Sequence, residues 1–179
     1  MLIGLCGFKR SGKDTFAAAL VRDCGFHRLA FADRIKQELL SEGFPPPVDD
    51  AKEVPGEDGR SYRDRVIERG ESRRAVDPQH WIKRLAEDHA KLPSGASVVI
   101  SDCRRPNEMD WVRNHGGVLI WIAREGVVSN GHDTELDQRH RCHGVIDNEG
   151  PAPSGHAIAA FARGLRDVEA LILSKGETE

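Results

Sequence analysis

The residues best able to do chemistry in this chain lie near its start, in a glycine-flanked segment. They read Gly7-Phe8-Lys9-Arg10-Ser11-Gly12-Lys13-Asp14-Thr15. Two glycines let backbone N–H groups close around an anion, and the start of a following helix adds positive potential. Lys13, at what we expect to be an exposed loop–helix junction, supplies a charge for the phosphates of a nucleoside triphosphate. The predicted triphosphate ligands are Gly7, Lys9, Arg10, Ser11, Gly12, Lys13, Asp14 and Thr15.

The position after the lysine departs from the usual phosphate-loop pattern. That pattern places Ser or Thr there to hold Mg²⁺, whereas this chain has Asp14, with Thr15 one residue later. A further acid, Asp102, follows the apolar run Ser97–Ser101, where it can hold Mg²⁺ or its waters or accept a proton. The structural alternative for Asp102 is a helix N-cap just before Pro106. Asp14, Thr15 and Asp102 are therefore the predicted metal ligands.

Arginines supply the remaining chemistry. Arg104 and Arg105 follow Asp102 directly and could hold phosphoryl oxygens in a bidentate fork. A segment at about residues 124–143 contains three more, and long segments of this kind are often lids that close over a transferring phosphoryl group. A solvated loop is the alternative, because acidic residues in the same segment offset the charge. The predicted catalytic residues are Lys13, Arg104, Arg124, Arg139 and Arg141.

The predicted lid also holds a rival candidate metal site. His132, His140, Cys142 and His143 could ligate zinc, but their spacing matches no standard zinc finger. This spacing favours histidines that lie in an ordinary loop and bind no metal.

The elements that must position these residues alternate between strand and helix. Apolar runs predict strands at Leu2–Cys6, His27–Ala32, Ser97–Ser101, Gly117–Ala123 and Val145–Asp147. Helices are predicted at about Gly12–Asp23, Arg34–Leu40 and His80–Lys91. Three more are predicted in the stretch that ends at the Asp77-Pro78 boundary, from Pro106, and after a Ser154 cap. This alternation predicts an α/β fold, a three-layer αβα sandwich with a parallel sheet. Ligands then bind outside the carboxyl ends of the strands, which the phosphate loop, Asp102 and Arg124 all follow.

Length and composition limit the classes of function. The chain has 179 residues and a net charge of −3, which predicts one domain and argues against nucleic acid as the main partner. No apolar run is long enough to cross a membrane, and the first residues do not resemble a signal peptide, so we expect a cytoplasmic protein with reduced cysteines. A homodimer is compatible with the sequence, which does not fix the oligomeric state.

Taken together, these motifs resemble the phage-type deoxynucleoside monophosphate kinases. The resemblance spans nearly the whole chain, through the Gly7–Thr15 loop, Asp102-Cys103-Arg104-Arg105-Pro106-Asn107-Glu108, His132-Asp133-Thr134-Glu135 and Val145-Ile146-Asp147-Asn148-Glu149-Gly150. It implies a single P-loop, nucleoside monophosphate kinase-like domain over 1–179, with an acceptor-binding insertion at about 33–85 and a mobile lid at about 124–143. It also implies transfer of the γ-phosphoryl group of ATP, with Mg²⁺, to a deoxynucleoside monophosphate, in the host cytoplasm if the chain is phage-encoded.

The resemblance further implies site residues. Asn148 and Gly150 would hold the adenine. The implied substrate-binding residues are Asp33, Lys36, Arg63, Arg74, Trp81, Arg104 and Arg105.

Two alternatives remain open. Arg105 replaces an aromatic residue common in that family, and the Ser101–Arg105 and Arg69–Pro78 stretches are also similar to animal-type phosphomevalonate kinases. A kinase of a small non-nucleotide phosphate ester is therefore one alternative. A nucleotide-binding module without turnover is the other, although such a module would not need lid arginines directed at a transition state.

Overall fold

The structure is a computed structural model that describes residues 1–47, 51–129, 136–151 and 153–176, with side chains of the last helix described as far as Asp167. The chain divides into two compact units, one formed by Met1–Leu29 with Pro93–Glu179 and the other by Ala30–Leu92. The second unit contains most of the predicted acceptor-binding insertion. That both units belong to one kinase domain stays a prediction.

The first unit is built on a five-stranded, fully parallel sheet. Its strands are β1 (Leu2–Cys6), β2 (His27–Leu29), β3 (Val98–Ile100), β4 (Val118–Ala123) and β5 (Gly144–Asp147), in the order β2-β3-β1-β4-β5. Its helices are α1 (Lys13–Cys24), α5 (Pro106–Asn114) and α6 (Gly155–Gly176). The carboxyl ends of β1, β3, β4 and β5 lead into the phosphate loop, Asp102, Arg124 and Asn148, so these segments share one edge of the sheet.

Helices cover both faces of this sheet. On one face, Phe16 and Leu20 of α1 and Ile158 of α6 are buried in the same core cluster as Ile3 and Ile120 of the strands. On the other face, Val112 of α5 lies near Gly4 and Leu119. Burial on both sides explains why the central strands are almost entirely apolar. The α/β, three-layer prediction is confirmed.

One predicted boundary is wrong for a local reason. The second strand stops at Leu29 because Ala30 is already the N-cap residue of the next helix. The helix predicted at about His80–Lys91 does begin at His80. Asp77 closes a turn just before it, because its carboxylate accepts from the Gln79 N–H (3.0 Å) and its carbonyl from the His80 N–H (2.9 Å).

The second unit is helical. It contains α2 (Phe31–Ser41), a short 3₁₀ helix (Ala51–Glu53), α3 (Tyr62–Val76) and α4 (His80–Ala90). Ser61 caps α3 reciprocally, since its hydroxyl accepts from the Asp64 N–H (3.1 Å) while the Asp64 carboxylate accepts from the Ser61 N–H (2.9 Å). Among the described helices of both units, none is long and apolar enough to cross a membrane.

One carboxylate joins the helices of the first unit and gives a prediction about pH. Asp23, near the end of α1, accepts from the Gly155 N–H (2.7 Å) at the start of α6. The Arg22 guanidinium, together with this N–H, lowers the pKa of Asp23 from 3.8 to about 2. Because the pKa is lowered on folding, the ionised form stabilises the fold above pH 4, and this stabilisation is lost as the pH falls from about 4 to 2.

We therefore expect Asp23→Asn to lower the melting temperature at pH 7 and to differ progressively less from wild type as the pH falls toward 2. Thermal melts across that range are the measurement. A wild-type-to-variant difference that is the same at pH 7 and pH 2 would contradict this role for the Asp23 charge.

Candidate active site

The phosphate loop between β1 and α1 has the left-handed backbone angles that its glycines predict. Gly7 has φ 135° and Gly12 has φ 102°, and Arg10 also has a positive φ of 65°. Gly7 must lack a side chain, because a Cβ there would lie 2.5 Å from the Ile122 carbonyl oxygen on β4. The loop is thus held tightly against the end of the neighbouring strand.

The loop turns several of its carbonyls toward donors from the rest of the unit. Lys13 Nζ donates to the carbonyls of Gly7 (2.8 Å) and Phe8 (2.6 Å). The Asn148 side-chain amide donates to the Ser11 carbonyl (2.9 Å). In a trans, planar peptide, C=O and N–H point in opposite directions, so a carbonyl that accepts from one of these donors turns the following amide away from that donor. An anion-binding loop needs backbone amides that are turned away from the protein's own donors and toward the anion.

Lys13 is not exposed, contrary to the sequence-based expectation. Its side chain is only 6% exposed and also lies 3.4 Å from the Ser11 hydroxyl. The Lys13 side chain folds back so that its ammonium group lies across the loop and holds the loop closed. Lys13 therefore has a structural contact to lose as well as a charge.

A pocket of about 380 Å³ adjoins the loop. Its lining residues are Thr15, Arg124, Glu125, Asn148, Glu149 and Gly150. This brings together the first turn of α1, the start of the predicted lid and the turn after β5, including both residues implied to hold adenine. A guanidinium and backbone polar groups around a cavity of this size can accept a planar base.

A second pocket, of about 260 Å³, shares residues with the first and reaches Trp121. Phe8 and Trp121 meet edge to face with their centroids 5.1 Å apart, and the Arg139 guanidinium lies 5.7 Å from the Trp121 ring centroid. Sequence reasoning did not single out Trp121, because a tryptophan in an apolar strand reads as core.

The segment after β3 is fixed by a buried carboxylate. Glu108, only 3% exposed, accepts through one oxygen from the backbone N–H groups of Arg104 (2.9 Å) and Arg105 (3.0 Å). The N-cap residue of α5 is Arg105, so the alternative that Asp102 caps this helix is wrong. Asp102 is half-buried at the end of β3, three residues before that cap.

The three predicted lid arginines lie in different surroundings. Arg124 lines both pockets, and its guanidinium is 3.5 Å from the Arg10 carbonyl. Arg139 lines the second pocket and pairs with Asp137 (3.1 Å). Arg141 pairs instead with Asp110 of α5 (3.2 Å). The structure thus brings two of the three to the pockets beside the phosphate loop, and the lid itself stays a prediction.

The residues predicted to hold Mg²⁺ offer the oxygen donors that this ion prefers. Asp14 and Thr15 are exposed in the first turn of α1, and Asp102 lies at the end of β3. Within the described ranges, no group of three or more His, Cys, Asp or Glu side chains forms a cage. Mg²⁺ in kinases is held by one or two protein oxygens, phosphates and water, so the donor set fits the ion.

The described part of the alternative zinc site does not favour a metal. The His143 ring nitrogen Nδ1 accepts from the Leu119 N–H (2.8 Å). A hydrogen bond with the Cys6 thiol, together with burial, raises the pKa of Cys142 well above its ordinary value. A zinc ligand must be a thiolate, whereas this environment favours the protonated thiol. His132 and the rest of His132-Asp133-Thr134-Glu135 lie outside the described residues.

The other residues implied to bind the acceptor lie in the helical unit, most of them in ion pairs. Asp33 is 3.7 Å from Lys36, Arg63 is 3.7 Å from Glu53, and Arg74 is 3.1 Å from Glu71. Trp81 is buried in α4, and its indole N–H donates to the Gly70 carbonyl (3.0 Å). These contacts give Trp81 a packing role, and its role in substrate binding stays a prediction.

This unit has its own pocket, lined by different arginines. Its volume is about 380 Å³, and its lining residues are Arg69, Ser72, Arg73, Val76, Asp77 and His80. Burial opposes ionisation of the nearby Glu38, but hydrogen bonds from Arg69 and Arg73 outweigh it and lower the Glu38 pKa. Of the arginines in this unit, Arg63 and Arg74 were predicted from the sequence to bind the acceptor. Arg69 and Arg73, which line the cavity, were not.

Comparison with known proteins agrees with the fold and indicates the family. No protein-family model matches the chain. A crystal structure from Chloroflexus aurantiacus, assigned as a kinase, aligns over 91% of this chain and 93% of its own, with a TM-score of 0.51 and 20% identity. A protein of Acanthamoeba polyphaga mimivirus, named "Putative deoxynucleotide monophosphate kinase", is 32% identical in an alignment 162 positions long that covers 78% of this chain and 82% of the viral protein.

The fold, the phosphate loop and this relationship define the class of the protein. It is a P-loop kinase, a phosphotransferase of the nucleoside monophosphate kinase type. More particularly, the chain belongs to the deoxynucleotide monophosphate kinase family represented by the mimivirus protein. The alternative of a binding module without turnover is thereby set aside.

Proposed function

We propose that this enzyme transfers the γ-phosphoryl group of ATP to a deoxynucleoside 5′-monophosphate and releases ADP and the deoxynucleoside diphosphate. The observation that carries the proposal is the phosphate loop, with its Gly7 and Ser11 carbonyls held by Lys13 and Asn148, directly beside the pocket of Arg124 and Asn148. The name of the mimivirus relative supports the choice of acceptor. The acceptor and the product are small molecules. We propose that the enzyme acts in the cytoplasm.

In this proposal the triphosphate lies along the loop. Amides of Gly7–Thr15 contact the β- and γ-phosphates. Lys13 gives up its hydrogen bonds to the Gly7 and Phe8 carbonyls and donates to phosphate oxygens instead. The adenine occupies the pocket of Thr15, Arg124 and Gly150. Thr15 or Asp14, with Asp102, would hold Mg²⁺, which neutralises charge on the β- and γ-oxygens when bound.

The chemistry requires positioning more than proton transfer. An oxygen of the acceptor phosphate attacks the γ-phosphorus, and the bond from that phosphorus to the β–γ bridging oxygen breaks. Both oxygens belong to phosphates that are already ionised at neutral pH. The protein therefore holds the reactants in line and stabilises charge, for which Lys13, Arg124 and Arg139 are suited by their place beside the loop.

Arg104 and Arg105 are the proposed acceptor ligands on the first unit. The buried Glu108 fixes their backbone at the carboxyl edge of the sheet, from which the two guanidinium groups could hold the acceptor phosphate. The same pair would also suit a small phosphate ester such as mevalonate 5-phosphate, so the acceptor has to be tested directly.

The test compares kcat/KM for dGMP, dTMP and dCMP with that for mevalonate 5-phosphate at saturating ATP and Mg²⁺. We expect at least one deoxynucleotide to exceed mevalonate 5-phosphate by about 10⁴-fold, because a site that hydrogen-bonds a base leaves buried polar groups unpaired without one. The corresponding ribonucleotides serve as the matched controls for sugar recognition. Use of mevalonate 5-phosphate and no deoxynucleotide would overturn the proposed acceptor and leave the fold and the donor site standing.

A further inference from the structure

Asn148 makes a contact that adenine binding does not explain. It follows β5, yet its side-chain amide donates to the carbonyl of Ser11 in the phosphate loop, 137 residues away in sequence, at 2.9 Å. The carbonyl can only accept, so the amide must present its nitrogen to it. The amide is therefore committed to the protein backbone and not directed at a base.

The surroundings of Asn148 fix this contact from both sides. Its own backbone N–H donates to the Ala123 carbonyl at the end of β4 (2.8 Å), which ties the turn to the sheet. Opposite, a Cβ on Gly12 would lie 2.4 Å from the Asn148 side-chain nitrogen, so the missing side chain of Gly12 makes room for the amide. The side chain is half-buried between these two anchors.

The contact has a definite consequence for the loop. The Ser11 carbonyl and the Gly12 N–H belong to the same peptide group, and in a trans, planar peptide they point in opposite directions. Holding the carbonyl toward Asn148 therefore holds the Gly12 N–H toward the opposite side, which is the side that the phosphate would occupy in the proposed donor site. Gly12, at φ 102°, has no side chain that could restrain this peptide group, so the contact with Asn148 has to do so.

We propose that Asn148 is a positioning residue that aims the Gly12 N–H at the bound phosphate, and that it recognises the triphosphate of the donor rather than its base. This inference rests on the proposed use of ATP as donor. The proposed role differs from the adenine contact that the family resemblance implies. It couples the turn after β5 to the phosphate loop through one hydrogen bond.

The test separates phosphate from base by using a ligand that has no base. Asn148→Ala removes the donor, and Asn148→Asp keeps the shape but places an acceptor against the Ser11 carbonyl. Asn114→Ala, at the exposed end of α5 and outside both pockets, is the matched control. Dissociation constants for ATP and for inorganic triphosphate are measured by calorimetry at fixed Mg²⁺.

We expect Asn148→Ala to raise the dissociation constants of ATP and of inorganic triphosphate by the same factor, about five- to tenfold. Asn148→Asp should raise both further, and Asn114→Ala should leave both unchanged. In ¹H–¹⁵N spectra, triphosphate should shift the Gly12 amide strongly in wild type and much less in Asn148→Ala, while most other resonances superimpose. The spectra thus also show whether the variant is folded.

Weaker ATP binding with unchanged triphosphate binding would assign Asn148 to the base and overturn the proposal. Unchanged binding of both ligands, or an unchanged Gly12 shift, would overturn it as well. If wild type binds neither ligand, the proposed donor itself is wrong, an outcome distinct from a failure at Asn148 alone.

Discussion

Replacing Lys13 with methionine should lower kcat/KM for the donor by about 10²- to 10³-fold, the loss that follows from removing one preorganised charge from a transition state, worth ~3–4 kcal/mol. Methionine keeps most of the volume of the buried side chain and removes the ammonium group. The variant also loses the hydrogen bonds to the Gly7 and Phe8 carbonyls, so a modest fall in melting temperature should accompany the kinetic loss.

Steady-state kinetics and thermal melts together distinguish the two effects. Lys91→Met, at the exposed end of α4, is the matched control and should behave like wild type. A Lys13→Met enzyme that melts slightly lower but keeps activity within threefold of wild type would show that Lys13 only braces the loop, and the proposed donor site would then be wrong.

Gly7→Ala should have the largest effect on stability. The backbone there has φ 135°, and the new Cβ would lie 2.5 Å from the Ile122 carbonyl oxygen and 2.8 Å from the Ser11 hydroxyl. A backbone atom of a central strand cannot withdraw, so the loop must shift. We expect a cost of about 3–5 kcal/mol from the unfavourable backbone angle and the overlap together, with loss of triphosphate binding.

Gly95→Ala isolates the first of these two causes. Gly95 also has a left-handed backbone, with φ 78°, but a Cβ there meets nothing within 4 Å. Its cost should be only about 1–2 kcal/mol, with triphosphate binding unchanged. Equal losses of stability in Gly7→Ala and Gly95→Ala, measured by chemical denaturation, would contradict the close contact between the loop and β4.

Local signals in the sequence were enough to predict the sheet and the loop. The Gly7–Thr15 spacing and the β-branched run before Asp102 each carry their information within a few residues, and the structure places them at the same edge of the sheet. The burial of Lys13 was missed because the spacing of a motif does not tell where a flexible side chain lies.

Contacts between distant segments were beyond the reach of the sequence. The donation from Asn148 to Ser11 depends on β5 lying beside β4, and β4 beside β1, which no local pattern encodes. The packing of Trp81 on the Gly70 carbonyl depends likewise on how α3 meets α4. Both residues were assigned to ligands by resemblance, and the structure gives each a contact within the protein.

The most direct test of the account follows the transferred group itself. Wild-type enzyme is incubated with ATP labelled with ³²P at the γ-position, Mg²⁺ and a deoxynucleoside monophosphate, and the products are separated by chromatography. We predict that the label appears in the deoxynucleoside diphosphate, with one ADP formed for each labelled product. Release of the label as inorganic phosphate, or no transfer to any deoxynucleotide, would contradict it.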